Sequence, residues 1–273
     1  MSSRMLAIVL STLLASTLGL FSAAAYAADS ATSLLKLHQL RLASQKTLSD
    51  FYMFNGMEGD QRYARMINDS INEANTLLGA LTVMPGEGSK ALKAQLDQQW
   101  QGYQQDLNTL ITALKDQGYT DLQPVADLAS RNQQLMSLCL ELYNKIQQES
   151  RYSVPALTQL SREQSLLMQS IAVDYASRSA SVGATFMGGA GDARPMEELV
   201  ADFASKMNQL EKTPQNTEQL KASWEGVNTK WRYIEKSLIN YNENSVPFLV
   251  NKYSSTIIQG IEQIAGQYAA ANL

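Results

Sequence analysis

Apolar residues return at alternating steps of three and four along almost the whole chain, and this period restricts what the chain can fold into more than any other feature. Trp224, Val227, Trp231, Ile234, Leu238 and Tyr241 step by 3, 4, 3, 4 and 3, and Leu96, Trp100, Tyr103, Leu107, Leu110 and Leu114 step by 4, 3, 4, 3 and 4. Such spacing draws a stripe down one side of an α-helix and makes a heptad seam. A strand would need apolar residues at every second position, and no such run persists. The chain is therefore expected to be all-α.

The interruptions fall where helices should end. They are Pro85-Gly86-Glu87-Gly88, Gln117-Gly118 leading to Pro124, Ser153-Val154-Pro155, Gly188-Gly189-Ala190-Gly191 leading to Pro195, Thr213-Pro214, and Val246-Pro247. Glycine closes helices and proline opens them. Ser89 and Asn216 are the expected N-caps of the helices that follow them.

The order of parts repeats. Residues 34–81 parallel 157–210, 90–115 parallel 219–240, and 124–147 parallel 247–268. Long helices joined by short turns pack antiparallel, so the expectation is two tandem antiparallel four-helix bundles, over residues 28–152 and 153–273, each with a long first helix. With the junction near Ser150 to Pro155, the last helix of the first bundle is expected to run nearly straight into the second, making an elongated rod.

Residues 1–27 have the layout of a signal peptide. Arg4 precedes an apolar run from Met5 to Phe21, and Ala25-Tyr26-Ala27 supplies a small-x-small site, so cleavage after Ala27 and a periplasmic location are expected. No later segment has the length and apolarity of a membrane span. Beyond Ala27 there are 21 Lys and Arg against 26 Asp and Glu, spread without blocks, a net −5 that argues against nucleic acid as a partner. The single cysteine, Cys139, cannot form an internal disulfide. It lies in the apolar series Leu135, Leu138, Leu142, Ile146, as a core thiol would.

Chemistry is sparsely represented. With one histidine, His38, and neither Glu-x-x-His nor His-Glu-x-x-His spacing, no metal, no other cofactor and no Ser-His-Asp arrangement is expected. His38 itself is read as a residue of the surface or of a bundle seam. The loops around Gly188 and Gly86 lack the flanking residues of a phosphate cradle. Trp231, among Lys230, Arg232 and Tyr233, belongs to the heptad seam, and Glu197-Glu198 complement a helix N-terminus. No catalytic residue is assigned, and an enzyme is not expected.

What stands out is polarity where a bundle helix should be apolar. His38, Arg41 and Gln45 fall within the series Leu34, Leu48, Tyr52, and Gln164, Asp174 and Arg178 interrupt Leu160, Leu167, Ile171, Tyr175. Buried polar groups without partners are destabilising, so a stripe of them faces water, a partner helix or a ligand. These same helices carry a resemblance. Ser165-Leu166-Leu167-Met168-Gln169-Ser170 looks like the S-L-R-M-Q-S element of the periplasmic input domain of nitrate-responsive sensor kinases. Gln45-Lys46-Thr47-Leu48-Ser49 is similar to the Q-R-M-L-S element of the N-terminal domain of type IV pilus methyl-accepting chemotaxis transducers.

The resemblance implies helical-bundle sensor domains in which, in the kinase branch, an arginine of this element holds an anion between paired helices. Here that position is Leu167 in the second unit and Lys46 in the first, and a lysine lacks the planar fork of guanidinium. The ligand-binding residues it implies are Lys46 as the charge, Gln45 and Ser49 as hydrogen-bonding neighbours, and Arg41 one turn away. The expected function is a non-catalytic periplasmic sensor-like module. It would bind a small, anionic ligand or an envelope signalling protein along the first helix of each bundle, as a single chain or a homodimer. The rival is a structural or assembly adaptor of the envelope with no small ligand.

Overall fold

The computed structural model describes the backbone of residues 3–180, 194–241, 243 and 245–273, and the side chains of this set from residue 27 onward. The expected signal peptide therefore lies, apart from the backbone from Ser3 and the side chain of Ala27, outside the described residues. So does the glycine-rich stretch 188–191.

Among the described residues the chain is all-α, with eight helices and no strand. They are α1 (Ser3–Gly56), α2 (Gln61–Gly79), α3 (Glu87–Gln117), α4 (Leu122–Ser150), α5 (Ala156–Ala180), α6 (Met196–Glu211), α7 (Glu218–Ile239) and α8 (Pro247–Ala270). Among these residues no helix is long and apolar enough to cross a membrane.

The turns follow from local chemistry. Between α1 and α2, Gly59 takes a left-handed φ of 82° and Asp60 caps α2 by accepting from the Arg62 amide at 2.8 Å. Gly118, also at φ 82°, closes α3, and Pro247 opens α8. Two expected caps are corrected. α3 starts two residues before Ser89, at Glu87, with Gly86 as its N-cap, and the Ser89 hydroxyl reaches back to accept from the Gly86 amide at 3.2 Å. α7 is capped by Thr217, whose Oγ1 accepts from the Leu220 amide at 3.2 Å. Asn216 instead turns inward, where its Nδ2 donates to the carbonyls of Leu210 and Glu211 that α6 leaves open.

Both heptad seams are buried. Leu96, Trp100, Tyr103, Leu107, Leu110 and Leu114 line the inner side of α3, and Trp224, Val227, Trp231, Ile234 and Leu238 that of α7. Each such side chain taken from water contributes about 1.5–3 kcal/mol. The apolar core falls into two clusters. One draws on α1 to α4, with Val173 and Ala176 of α5 joining it. The other draws on α5 to α8 and is centred on Phe203 and Trp231, whose rings lie 4.3 Å apart.

The straight run from α4 into α5 does not form. Arg151 takes a left-handed conformation (φ 55°), residues 152–155 are not helical, and α5 packs along α1. The order of contacts sets the direction: Ser165 meets His38, Ser170 meets Gln45, and Ala180 meets Gly56. Both numbers rise together, so α1 and α5 are parallel neighbours. The two sets of helices thus sit side by side, not end to end as a rod would have them.

Candidate functional site

The polar stripe of α1 faces α5, and the seam between these parallel helices gathers several buried charged groups. From α1 come His38 and Arg41, from α5 Arg162 and Ser165, from α8 Glu262, and α4 brings Tyr143 to its edge. His38 Nε2 lies 2.9 Å from Glu262 Oε1, and the Ser165 hydroxyl donates to the same carboxylate oxygen at 2.6 Å. His38 is 1% exposed, in a seam as its place in the sequence suggested.

The two arginines are the unusual part. Arg162 is 7% exposed, yet neither its Nε nor its Nη1 has a hydrogen-bond partner, and the Nε of Arg41 is likewise buried and unpartnered. A guanidinium stays charged in a protein. Burying one with its donors idle is destabilising by several kcal/mol unless something answers it. Burial draws the pKa of Arg41 down, with Cys139, Tyr143 and Glu163 opposing the shift. Tyr143 feels both cations: burial raises its hydroxyl pKa, while the charge of Arg162, a hydrogen bond with it and the charge of Arg41 hold it back. Its hydroxyl donates to Gln159 at 2.6 Å.

The imidazole and the carboxylate are set apart by this field. Burial lowers the pKa of His38 and both guanidiniums lower it further, which outweighs the pull of Glu262. Burial pushes Glu262 the other way, but the hydrogen bonds from His38 and Ser165 and the charges of His38 and Arg162 bring it below its ordinary value. Near neutral pH the seam thus holds two arginines, the Glu262 carboxylate and a neutral imidazole, with the exposed Glu163 carboxylate acting on Arg41 from its rim.

Four residues of α1 were singled out by sequence, and they divide. Arg41 belongs to this seam. Gln45 sits one turn further along, where its Nε2 donates to Ser170 Oγ at 3.2 Å and its Oε1 is buried without a partner. Ser49 is buried with an unpartnered hydroxyl. Lys46 lies on another face of α1, where its Nζ is 2.6 Å from Asp50 Oδ2. Its charge is already answered there.

Arg162 was not singled out, although a signal existed. Arg41, Ser44 and Ser49 recur at the same spacing as Arg162, Ser165 and Ser170, so the repeat itself carries an arginine into the corresponding turn of α5. Among the other polar interruptions of α5, Gln164 donates to the Phe203 carbonyl at 2.7 Å while its Oε1 is buried without a partner, and Asp174 accepts from Arg178 Nε at 2.9 Å.

Two other features border the site. Asp50 is fully buried with Oδ1 unpartnered, and burial raises its carboxyl to about 6 against the pull of Lys46. At the C-terminal ends of α1 and α5 a cleft of about 240 Å³ is lined by Tyr52, Gly56, Met57, Ala180 and Pro247 with no charged group, so it is distinct from the arginine seam. Among the described residues no three His, Cys, Asp or Glu side chains converge as metal ligands. Cys139 is buried and its thiol is pushed up to about 12, mainly by desolvation. Comparison with family models, with curated proteins and with solved structures finds no match to this chain.

Proposed function

We propose that this chain is a non-catalytic binding module that holds a small anion between α1 and α5, on Arg41 and Arg162. The observation that carries the reading is Arg162, almost fully buried with two guanidinium nitrogens unpartnered. An anion with two oxygens matches the fork of such a group and would take up donors that no protein group satisfies. In this reading α1 to α4 and α5 to α8 are two antiparallel four-helix bundles, and the parallel pair α1 and α5 does within one chain what two copies of a single bundle would do together. The resemblance to the helical-bundle sensor domains supports an anion held between paired first helices, with one change. The charges are Arg41 and Arg162, and Lys46 is not used. Residues 1–27 direct the chain to the periplasm, where it reports binding to a partner protein of the envelope.

The adaptor reading has its own observation. Tyr119 and Leu122, 61% and 62% exposed, stand together at the turn between α3 and α4, where a partner helix would find an apolar foothold.

A thermal-shift series tests the anion reading. Nitrate, formate, acetate, sulfate and phosphate are added at matched ionic strength to the wild-type chain and to Arg162→Met. A ligand that binds only the native state raises its melting temperature. The expected outcome is a rise with at least one planar monoanion that Arg162→Met abolishes. A blank across the series removes the anion site and leaves the adaptor.

A further inference from the structure

We propose that anion capture at Arg41 and Arg162 is coupled to uptake of a proton by His38, so that the module binds more tightly as the surroundings become acidic. The inference rests on the anion reading above and adds its regulation.

The geometry places one titratable group at the junction of three helices. On its own helix His38 faces Arg41, across the seam it faces Arg162 of α5, and Glu262 of α8 lies within hydrogen-bond distance at 2.9 Å. Ser165 of α5, 3.5 Å from His38 Nε2, holds the Glu262 carboxylate in position by donating to it. The imidazole therefore already has the partner an imidazolium would need. Burial and, to a lesser extent, the two guanidiniums keep it neutral near pH 7.

An anion between the arginines lessens that obstacle. It offsets the repulsion from the two guanidiniums, which adds to the larger effect of burial, and so leaves the Glu262 carboxylate better able to stabilise a proton on His38. Linkage then makes the effect mutual: whatever factor the anion adds to proton affinity, the proton adds to anion affinity. A rise of one unit in the pKa of His38 corresponds to about tenfold in anion affinity. Groups elsewhere do not substitute for His38. Asp50, whose buried carboxyl is raised to about 6, pairs with Lys46 on a different face of α1 and is not among the groups that act on His38.

The chain has a single histidine, which makes the experiment direct. In tag-free full-length protein the imidazole resonances belong to His38 alone, and their titration by NMR gives its pKa without and with saturating formate, then nitrate. Calorimetry at pH 5.5, 6.5 and 7.5 gives the anion affinity for wild type and for His38→Gln. Support is a pKa higher by about one unit or more with anion, an affinity that rises about tenfold toward low pH, and a flat profile in His38→Gln. Binding that is lost in Arg162→Met but leaves the His38 titration unmoved overturns the coupling and leaves the anion site standing. Absence of binding at every pH overturns both. Should His38→Gln fail to fold, the wild-type titration decides alone.

Discussion

Gly56 of α1 meets Ala180 of α5 with so little room that a Cβ built on Gly56 would lie 3.0 Å from the Ala180 Cα. The neighbour is backbone, which cannot rotate out of the way, so this glycine sets how closely the two parallel helices approach. Gly56→Leu is expected to wedge α1 from α5 and lower stability by about 1–3 kcal/mol, read as the urea midpoint. Gly79→Ala is the control, because nothing lies within 4 Å of its would-be Cβ. An equal loss in the control would mean that the α1–α5 contact is not what Gly56 protects.

Arg162 should oppose stability when no anion is added. Replacing a buried charge by an apolar side chain of similar length is often neutral or favourable by about 1–4 kcal/mol. Arg162→Met is therefore expected to melt at or above the wild-type temperature in anion-free buffer while losing the anion response. A clear drop in melting temperature would show that its donors are answered by something other than a ligand.

Asp50 predicts a pH dependence with a definite sign. Its folded-state pKa, about 6, lies above the ordinary carboxyl value of 3.8, so the native state holds this proton more tightly than the unfolded chain does. The associated stability is fully present below pH 3.8 and lost as pH rises through about 6. Asp50→Asn keeps the neutral form at every pH. It should gain about 2–3 kcal/mol over wild type at pH 7.5 and almost nothing at pH 3.5, by denaturant titration at both values. Lys46, about one-third exposed, can turn to water once its partner is gone. A gain that does not change with pH would locate the effect elsewhere.

Asn216 should matter more than the cap beside it. Its amide donates to the Leu210 and Glu211 carbonyls at 2.8 and 3.0 Å, and its Oδ1 accepts from the Tyr268 hydroxyl, which in turn accepts from Trp224 Nε1 at 3.1 Å. Asn216→Ala leaves several buried groups unpaired and is expected to cost about 2–3 kcal/mol. Thr217→Ala, which removes only the hydroxyl cap of α7, should cost about 1 kcal/mol. The reverse order in chemical denaturation would contradict the buried network.

Cys139 offers a reporter that needs no mutation. Buried and with its thiol pushed up to about 12, it should resist a thiol reagent in native buffer and react in full once the chain unfolds. The labelled fraction in urea should follow the helical circular dichroism signal. Labelling ahead of that signal would reveal a local opening of α4.

The helical class, both heptad seams and most of the breaks were legible because they depend on local period and on what glycine and proline do to a backbone. The caps were not. Ser89 and Asn216 are both good capping residues, but which residue closes a helix turns on where the preceding helix leaves its carbonyls, and Asn216 is drawn inward by Leu210 and Glu211. The turn at Gly59 and Asp60 also went unmarked, inside a stretch whose apolar period continues across it.

By itself the sequence determined an all-α chain and marked two helices that are too polar for an ordinary core, since period and composition are properties a segment keeps wherever it packs. Tertiary structure alone decided which polar residues meet. Arg41 and Arg162 stand 121 positions apart in the chain and come to one seam only because α5 lies parallel to α1. Lys46, a neighbour of Arg41 in sequence, is carried by the turn of the helix to a different face and paired with Asp50. Long-range packing, which no local pattern encodes, selects the one pairing of helices that puts these charges together.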